Sequence, residues 1–106
     1  MIKVFGRHLC VPENEKMLGF VNDNLVETRI FEITDPSLFQ FSFKLELDTG
    51  LGKNIMDLSR KTEEKALLLT WQLPASCLQL PGPLYAQIRA FNEGDMVWHS
   101  EITHFM

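Results

Sequence analysis

The stretch QFSFKLELD, residues 40–48, decides the fold. Phe41, Phe43, Leu45 and Leu47 alternate with Gln40, Ser42, Lys44, Glu46 and Asp48. Successive side chains of a strand point to opposite faces, so this period of two makes one apolar and one wet face. On a helix, Phe41 and Phe43 would stand about 200° apart and the apolar set would be split. The segment reads as a half-buried strand.

The same signature recurs on both sides. In KALLLTWQL, residues 65–73, Leu67, Leu69, Trp71 and Leu73 share one face. The other face carries Ala66, Leu68 and Thr70, also partly apolar, which predicts a central strand. In LVETRIFEIT, residues 25–34, Leu25, Glu27, Arg29, Phe31 and Ile33 oppose Val26, Thr28, Ile30 and Glu32. That alternation is imperfect, and a bulge would account for the slip. In LYAQIRAF, residues 84–91, Leu84, Ala86, Ile88 and Ala90 oppose Tyr85, Gln87, Arg89 and Phe91. In MVWHSEITHF, residues 96–105, Met96, Trp98, Ser100 and Ile102 oppose Val97, His99, Glu101, Thr103 and Phe105. Asn92, Glu93, Gly94 and Asp95 join these last two as a hairpin loop, with Gly94 at a positive φ. Residues 2–5, 8–11 and 54–58 are shorter strand candidates.

The connections carry turn chemistry. Asp35-Pro36-Ser37 breaks the chain. Residues 48–54 read as a flexible turn and residues 60–65, RKTEEK, as a charged, solvated one. Residues 74–83 hold room for one helical turn, with Pro74 at its first position and Pro81-Gly82 ending it. Six to eight short strands without a long amphipathic helix predict an all-β protein, an antiparallel β-sandwich, with a small closed barrel as the alternative. Phe41, Phe43, Leu45, Leu69, Trp71, Ile88 and Trp98 are expected to dominate its core. Each such burial contributes on the order of 1.5–3 kcal/mol before entropy is subtracted.

The whole chain fits this reading. Its 106 residues suit one domain, residues 1–106, able to bury roughly two-thirds of its unfolded surface. Hydrophobic residues at 45% and charged residues at 23% are ordinary for a globular protein. A net charge of −4 argues against a nucleic-acid surface, which needs a basic stripe. No apolar run approaches the ~20 residues needed to cross a bilayer, so no membrane partner is expected. No signal peptide is visible: Met1-Ile2-Lys3-Val4-Phe5 runs directly into Gly6-Arg7-His8. Cytoplasmic synthesis follows as the expectation. Cys10 and Cys77 stand in no metal-ligand spacing. Two partly buried free thiols are the favoured reading, and an even count leaves a disulfide open.

Chemistry is sparse. His8, His99 and His104 are the three histidines. On one strand, His99 and His104 differ by an odd step and face apart, so only a bulge would make them a ligand pair. Ser100 adjoins His99, but strand neighbours point oppositely, so the two form no dyad. No GxSxG, P-loop or HExxH is present. The carboxylates fall mostly in turns or on wet faces. No catalytic residue, cofactor or metal is assigned. Trp71, Trp98 and Tyr85 could build a flat platform for sugar. Trp71 and Trp98 share faces with Leu69 and Ile102, which favours the core for both.

Two resemblances rest on quoted residues. PGPLYAQIRAFNEGDMVWHS, residues 81–100, resembles the last hairpin of fibronectin type III and immunoglobulin-like domains, with Pro81, Gly82, Tyr85, Ala90 and Gly94 at comparable places. Pro83 departs from that pattern, which has threonine there. The runs NLVETRIFEITDPSLFQFSFKLELDTG, GKNIMDLSRKTEEKALLLTWQL, LYAQIRAF and VWHSE resemble small prophage-encoded proteins of Firmicutes. Those proteins are similar to the N-terminal domain of phage baseplate upper proteins. The resemblance implies an immunoglobulin-like module without catalytic residues. It would build a phage tail or baseplate by contact with other tail proteins or with itself, and would reside in the virion. The chain stops at Met106 directly after strand-like residues, as the N-terminal part of a longer protein would. Candidate partner-surface residues are Met17, Leu18 and Phe20, ahead of a polar turn, together with Arg89, Glu101 and His104. The reading from a different class is a carbohydrate- or surface-binding accessory domain using Trp98 or Tyr85.

Overall fold

A computed structural model describes residues 1–15, 28–49, 52–72 and 84–105. Ten strands form among these residues: β1 Ile2–Phe5, β2 His8–Cys10, β3 Thr28–Ile33, β4 Ser42–Thr49, β5 Gly52–Asp57, β6 Ser59–Thr62, β7 Leu67–Gln72, β8 Leu84–Asn92, β9 Asp95–His99 and β10 Thr103–Phe105. They make two sheets packed as a sandwich. One has the order β2-β1-β3-β7-β6; the other has β10-β8-β4-β5, with β9 also on β8. The expected all-β sandwich is therefore present, with more strands than the six to eight predicted. Its pairing is also not purely antiparallel, because β1 joins β3 in parallel.

The period-two stretch forms the middle of the second sheet. Phe43, Leu45 and Leu47 of β4 are buried, with Phe41 half-buried just before it. They pair in register with Ala90, Ile88 and Ala86 of β8, also buried. Facing them, Phe31 and Ile33 of β3 and Leu67, Leu69 and Trp71 of β7 supply the first sheet's inner face. The rings of Phe31 and Trp71 stack at 6.4 Å, and Trp71 meets Phe105 edge-on at 5.6 Å. That row of rings runs from one sheet to the other, in the geometries aromatic pairs prefer.

Two crossings between sheets are anchored by buried leucines. Leu38 sits in a 3-10 turn, Pro36–Leu38, between β3 and β4. Asp35 caps that turn, its carboxylate accepting from Ser37 N–H at 3.0 Å and from Ser37 Oγ at 2.8 Å. Leu58 alone links β5 to β6. Arg60 of β6 reaches back across the sandwich and donates to the carbonyls of Phe39 and Phe41 at 2.5 and 2.7 Å.

Several sequence expectations change. The slip around β3 is not a bulge: its pairings with β1 and β7 run without a register shift. The irregular residue, Arg29, is buried on the inner face beside Trp71, its guanidinium donating to Thr28 O at 2.9 Å. Residues 48–54 are mostly strand, since Thr49 pairs with Gly52 and only two residues separate them. The charged stretch at 60–65 contains β6, paired with β7 from Ser59 to Thr62. Cys10 is a free thiol and is exposed rather than partly buried. Cys77, Leu73 and the helical turn expected at 74–83 lie outside the described residues.

The largest change concerns the last hairpin. Its turn is Glu93-Gly94, with φ of 53° and 88°, closed by the Asn92–Asp95 pair. Positive φ at both central residues matches the twist of the flanking strands. Beyond it the register slips at Ala90/Phe91, leaving Val97 as an extra residue. It slips again farther on: three steps of β8, Arg89 to Ala86, oppose four steps, His99 to Thr103. A one-residue slip sends every following side chain to the other face. Phe105, expected opposite Trp98, is therefore fully buried, while Ile102, expected beside Trp98, is 65% exposed.

Candidate interaction surface

The outer face of the second sheet gathers two of the six candidate partner-surface residues, Arg89 and His104. Because Leu45 and Leu47 point inward, Lys44, Glu46 and Asp48 point outward from β4. Their register partners place Tyr85, Gln87 and Arg89 of β8 on the same face. Lys53, Ile55 and Asp57 of β5 join them. The central charge is Glu46, only 12% exposed, held by Arg89 on one side and by Lys53 Nζ at 3.6 Å on the other. Lys44 Nζ lies 3.8 Å from Asp57 and 5.8 Å over the Phe91 ring. In this lattice around Glu46 the pairs alternate in sign across three strands, although each exposed pair contributes little stability.

Beside the lattice lies a concavity of about 380 Å³. Glu46, Asp48, Lys53, Tyr85, Ala86, Gln87 and Ile102 line it. Tyr85 stays 46% exposed there, its ring 6.1 Å from that of His104. The exposed Ile102 forms the far wall. Apolar side chains in a hollow rimmed by ordered charges are what a recognition surface needs: area for burial and polar groups for orientation.

A second cluster closes one corner of the sandwich. The turn between β1 and β2 reaches the broken edge between β9 and β10. Glu101 N–H donates to Arg7 O at 2.8 Å, and Arg7 Nη1 donates to His99 O at 2.7 Å. The Arg7 guanidinium sits 5.8 Å over the Trp98 ring, and His8 Nδ1 pairs with Glu101 Oε1. Inside the corner, Ser100 is fully buried. Its N–H donates to Ile88 O at 2.9 Å, while Ile88 N–H donates to Ser100 Oγ at 3.0 Å. A side-chain oxygen thus stands in the ladder where a carbonyl would stand. The displaced Ser100 carbonyl accepts from Gln87 Nε2 at 2.9 Å.

The candidate residues separate accordingly. Arg89 and His104 lie on the outer face, while Glu101 belongs to the corner. Met17, Leu18 and Phe20 lie outside the described residues. Trp71 is core, 1% exposed, its buried Nε1 without a hydrogen-bond partner among the described residues. Trp98 is half-buried against the core, under Arg7. That leaves Tyr85 as the aromatic ring of the concavity. His99 and His104 do not face apart: the second slip, between His99 and Thr103, puts both on the outer face, opposite Arg89 and Tyr85. Those partners are four residues apart on β8, about 13 Å, too far for a shared ion. No group of three or more metal-ligating side chains occurs among the described residues. The Ser100 hydroxyl is engaged by backbone, donating to Glu101 O at 2.8 Å. Ile102, Ile55 and Glu46 were missed because each looks ordinary in sequence; only their register with β4 and β8 assembles them.

Comparison with family models, with curated proteins and with solved structures finds no match for the chain.

Proposed function

We propose that this chain is a non-catalytic interaction module of a phage tail or baseplate, acting in the virion by contact with other tail proteins. The observation that carries the contact role is the outer-face concavity, where Tyr85 and Ile102 remain exposed beside the Arg89–Glu46–Lys53 lattice. The strand orders support an immunoglobulin-like module: β1-β3-β7-β6 against β8-β4-β5 follows the A-B-E-D and F-C-C′ orders of that fold. The parallel β1–β3 pair departs from it. The test is coexpression with the products of the adjacent genes, followed by size-exclusion chromatography with light scattering. The expected result is a complex with a tail protein that Ile102→Asp abolishes. Absence of any such complex, or a complex indifferent to Ile102→Asp, overturns the reading.

One observation favours a second reading, carbohydrate binding. A single exposed tyrosine stands beside the carboxylate of Asp48 and the amide of Gln87, which supply a stacking face and hydrogen-bonding groups for a sugar. Here Tyr85→Ala abolishes glycan binding in calorimetry and leaves the thermal midpoint near that of the parent. Trp98 is less suited to it, its ring half-buried against the core and under the Arg7 guanidinium.

A further inference from the structure

One outer-face row of the second sheet sets four residues directly opposite one another: His104 of β10, Tyr85 of β8, Asp48 of β4 and Lys53 of β5. Register alone would pair Lys53 with Asp48. In the structure Lys53 Nζ instead lies 3.6 Å from Glu46 Oε1, and Arg89 pairs with the same carboxylate. Two cations thus converge on Glu46, which is mostly shielded from water, where a charge attracts more strongly than in solvent. The Asp48 carboxylate is left exposed at the wall of the concavity, with no ion-pair partner among the described residues. Gln87 does not answer that charge. Its Nε2 donates to Ser100 O at 2.9 Å, toward the corner.

The hollow therefore combines an unanswered carboxylate, the exposed ring of Tyr85 and the exposed side chain of Ile102. We propose that it is a subsite for one arginine side chain of a protein partner, whose guanidinium pairs with Asp48 beside the Tyr85 ring and whose methylene stem lies on Ile102. The inference rests on the reading of the concavity as a protein-contact surface and names the chemistry of what enters it. Each feature meets a different part of that side chain. A carboxylate accepts the planar guanidinium fork with charge-assisted hydrogen bonds. An aromatic face attracts the same cation. An exposed apolar side chain covers the stem while the head stays at the rim. Lysine answers the charge but lacks the planar group that both stacks and forks. A neutral sugar leaves the Asp48 charge unanswered, and an acidic side chain is repelled by it.

Titration of the isotope-labelled chain with N-acetylarginine amide, followed by two-dimensional amide NMR, tests it. The amides of Asp48, Tyr85 and Ile102 are expected to shift and saturate, with a dissociation constant on the order of millimolar for so small a probe. N-acetylcitrulline amide has nearly the same shape without the charge and is expected to bind about tenfold or more weakly. Asp48→Asn should weaken the arginine probe by a similar factor, and Tyr85→Ala by about threefold or more. Circular dichroism checks that both variants keep the parent fold, and added salt should weaken binding in the parent. Equal binding of the two probes, indifference to Asp48→Asn, or shifts confined to other residues would each overturn the proposal. Saturable binding of maltose in place of arginine would assign the hollow to carbohydrate. Shifts that follow protein concentration alone would assign it to a second copy of the chain. Either result also overturns the proposal. A tail-protein complex that is lost in Ile102→Asp but unchanged in Asp48→Asn sinks the arginine subsite and leaves the contact reading standing. Binding of the probe as expected, with no such complex, sinks the tail assignment alone.

Discussion

Ser100 shows how much of the last hairpin rests on one side chain. Buried polar groups carry a cost unless paired, and Ile88 N–H, in the middle of β8, is satisfied by Ser100 Oγ rather than by a carbonyl. Ser100→Ala removes that acceptor without creating a large void. The expected loss is about 1–3 kcal/mol of unfolding free energy, read as a lower urea midpoint at unchanged slope. Ser100→Thr keeps the oxygen but adds a methyl group in a fully buried site, so it measures how tightly the corner is packed. Strict alternation already set Ser100 on the face of Trp98, and it is buried there, still in register with Ile88. What no local pattern announces is that its hydroxyl, rather than a carbonyl, accepts from Ile88 N–H. Trp71 was the opposite case. Its place between Leu69 and Leu73 in an alternating run pointed to the core, and the core holds it.

At the scale of elements, the sequence is read most reliably where alternation is strict. β4 and β8 match the expected faces, because each inner position is apolar and the outer ones, apart from Phe91, are polar or amphipathic. β6 was missed for the converse reason: all four of its side chains are exposed, so it has no hydrophobic period, only a place beside β7. The end of the chain was mis-faced because period-two counting carries one error forward indefinitely. Strict alternation makes Ile102 a core residue and separates Phe105 from Trp98; the second slip, between His99 and Thr103, inverts the outcome. Two substitutions distinguish these faces. Phe105→Ala is expected to cost about 3–5 kcal/mol, through lost burial and a cavity beside Trp71. Ile102→Ser is expected to stay within about 0.5 kcal/mol, as for other surface changes. Chemical denaturation of both variants checks the pair, and the reverse order of costs would restore uninterrupted alternation. The same slip explains why Glu101 left the candidate surface and why Ile102 joined it.

For the molecule as a whole, the question is whether the two sheets stand or fall together. The aromatic row from Phe31 through Trp71 to Phe105 crosses the interface, and among the described residues the buried side chains of both sheets form one cluster. Arg60 and Arg7 tie opposite parts of the rim, but through solvent-exposed groups of modest energy. Separating the sheets would expose both inner faces at once, which no rim contact offsets. Unfolding should therefore be a single cooperative transition. Trp71 reports on the interface directly. Of the chain's two tryptophans, Trp98 is the half-buried one, so Trp98→Phe leaves Trp71 as the sole indole at limited cost to packing. In that variant, indole fluorescence and far-ultraviolet circular dichroism are expected to give superimposable urea transitions. A fluorescence change that precedes the loss of strand signal would mean that the sheets part before they melt. The corner contacts of Arg7 and the bonds of Arg60, rather than the shared core, would then set the stability of the sandwich.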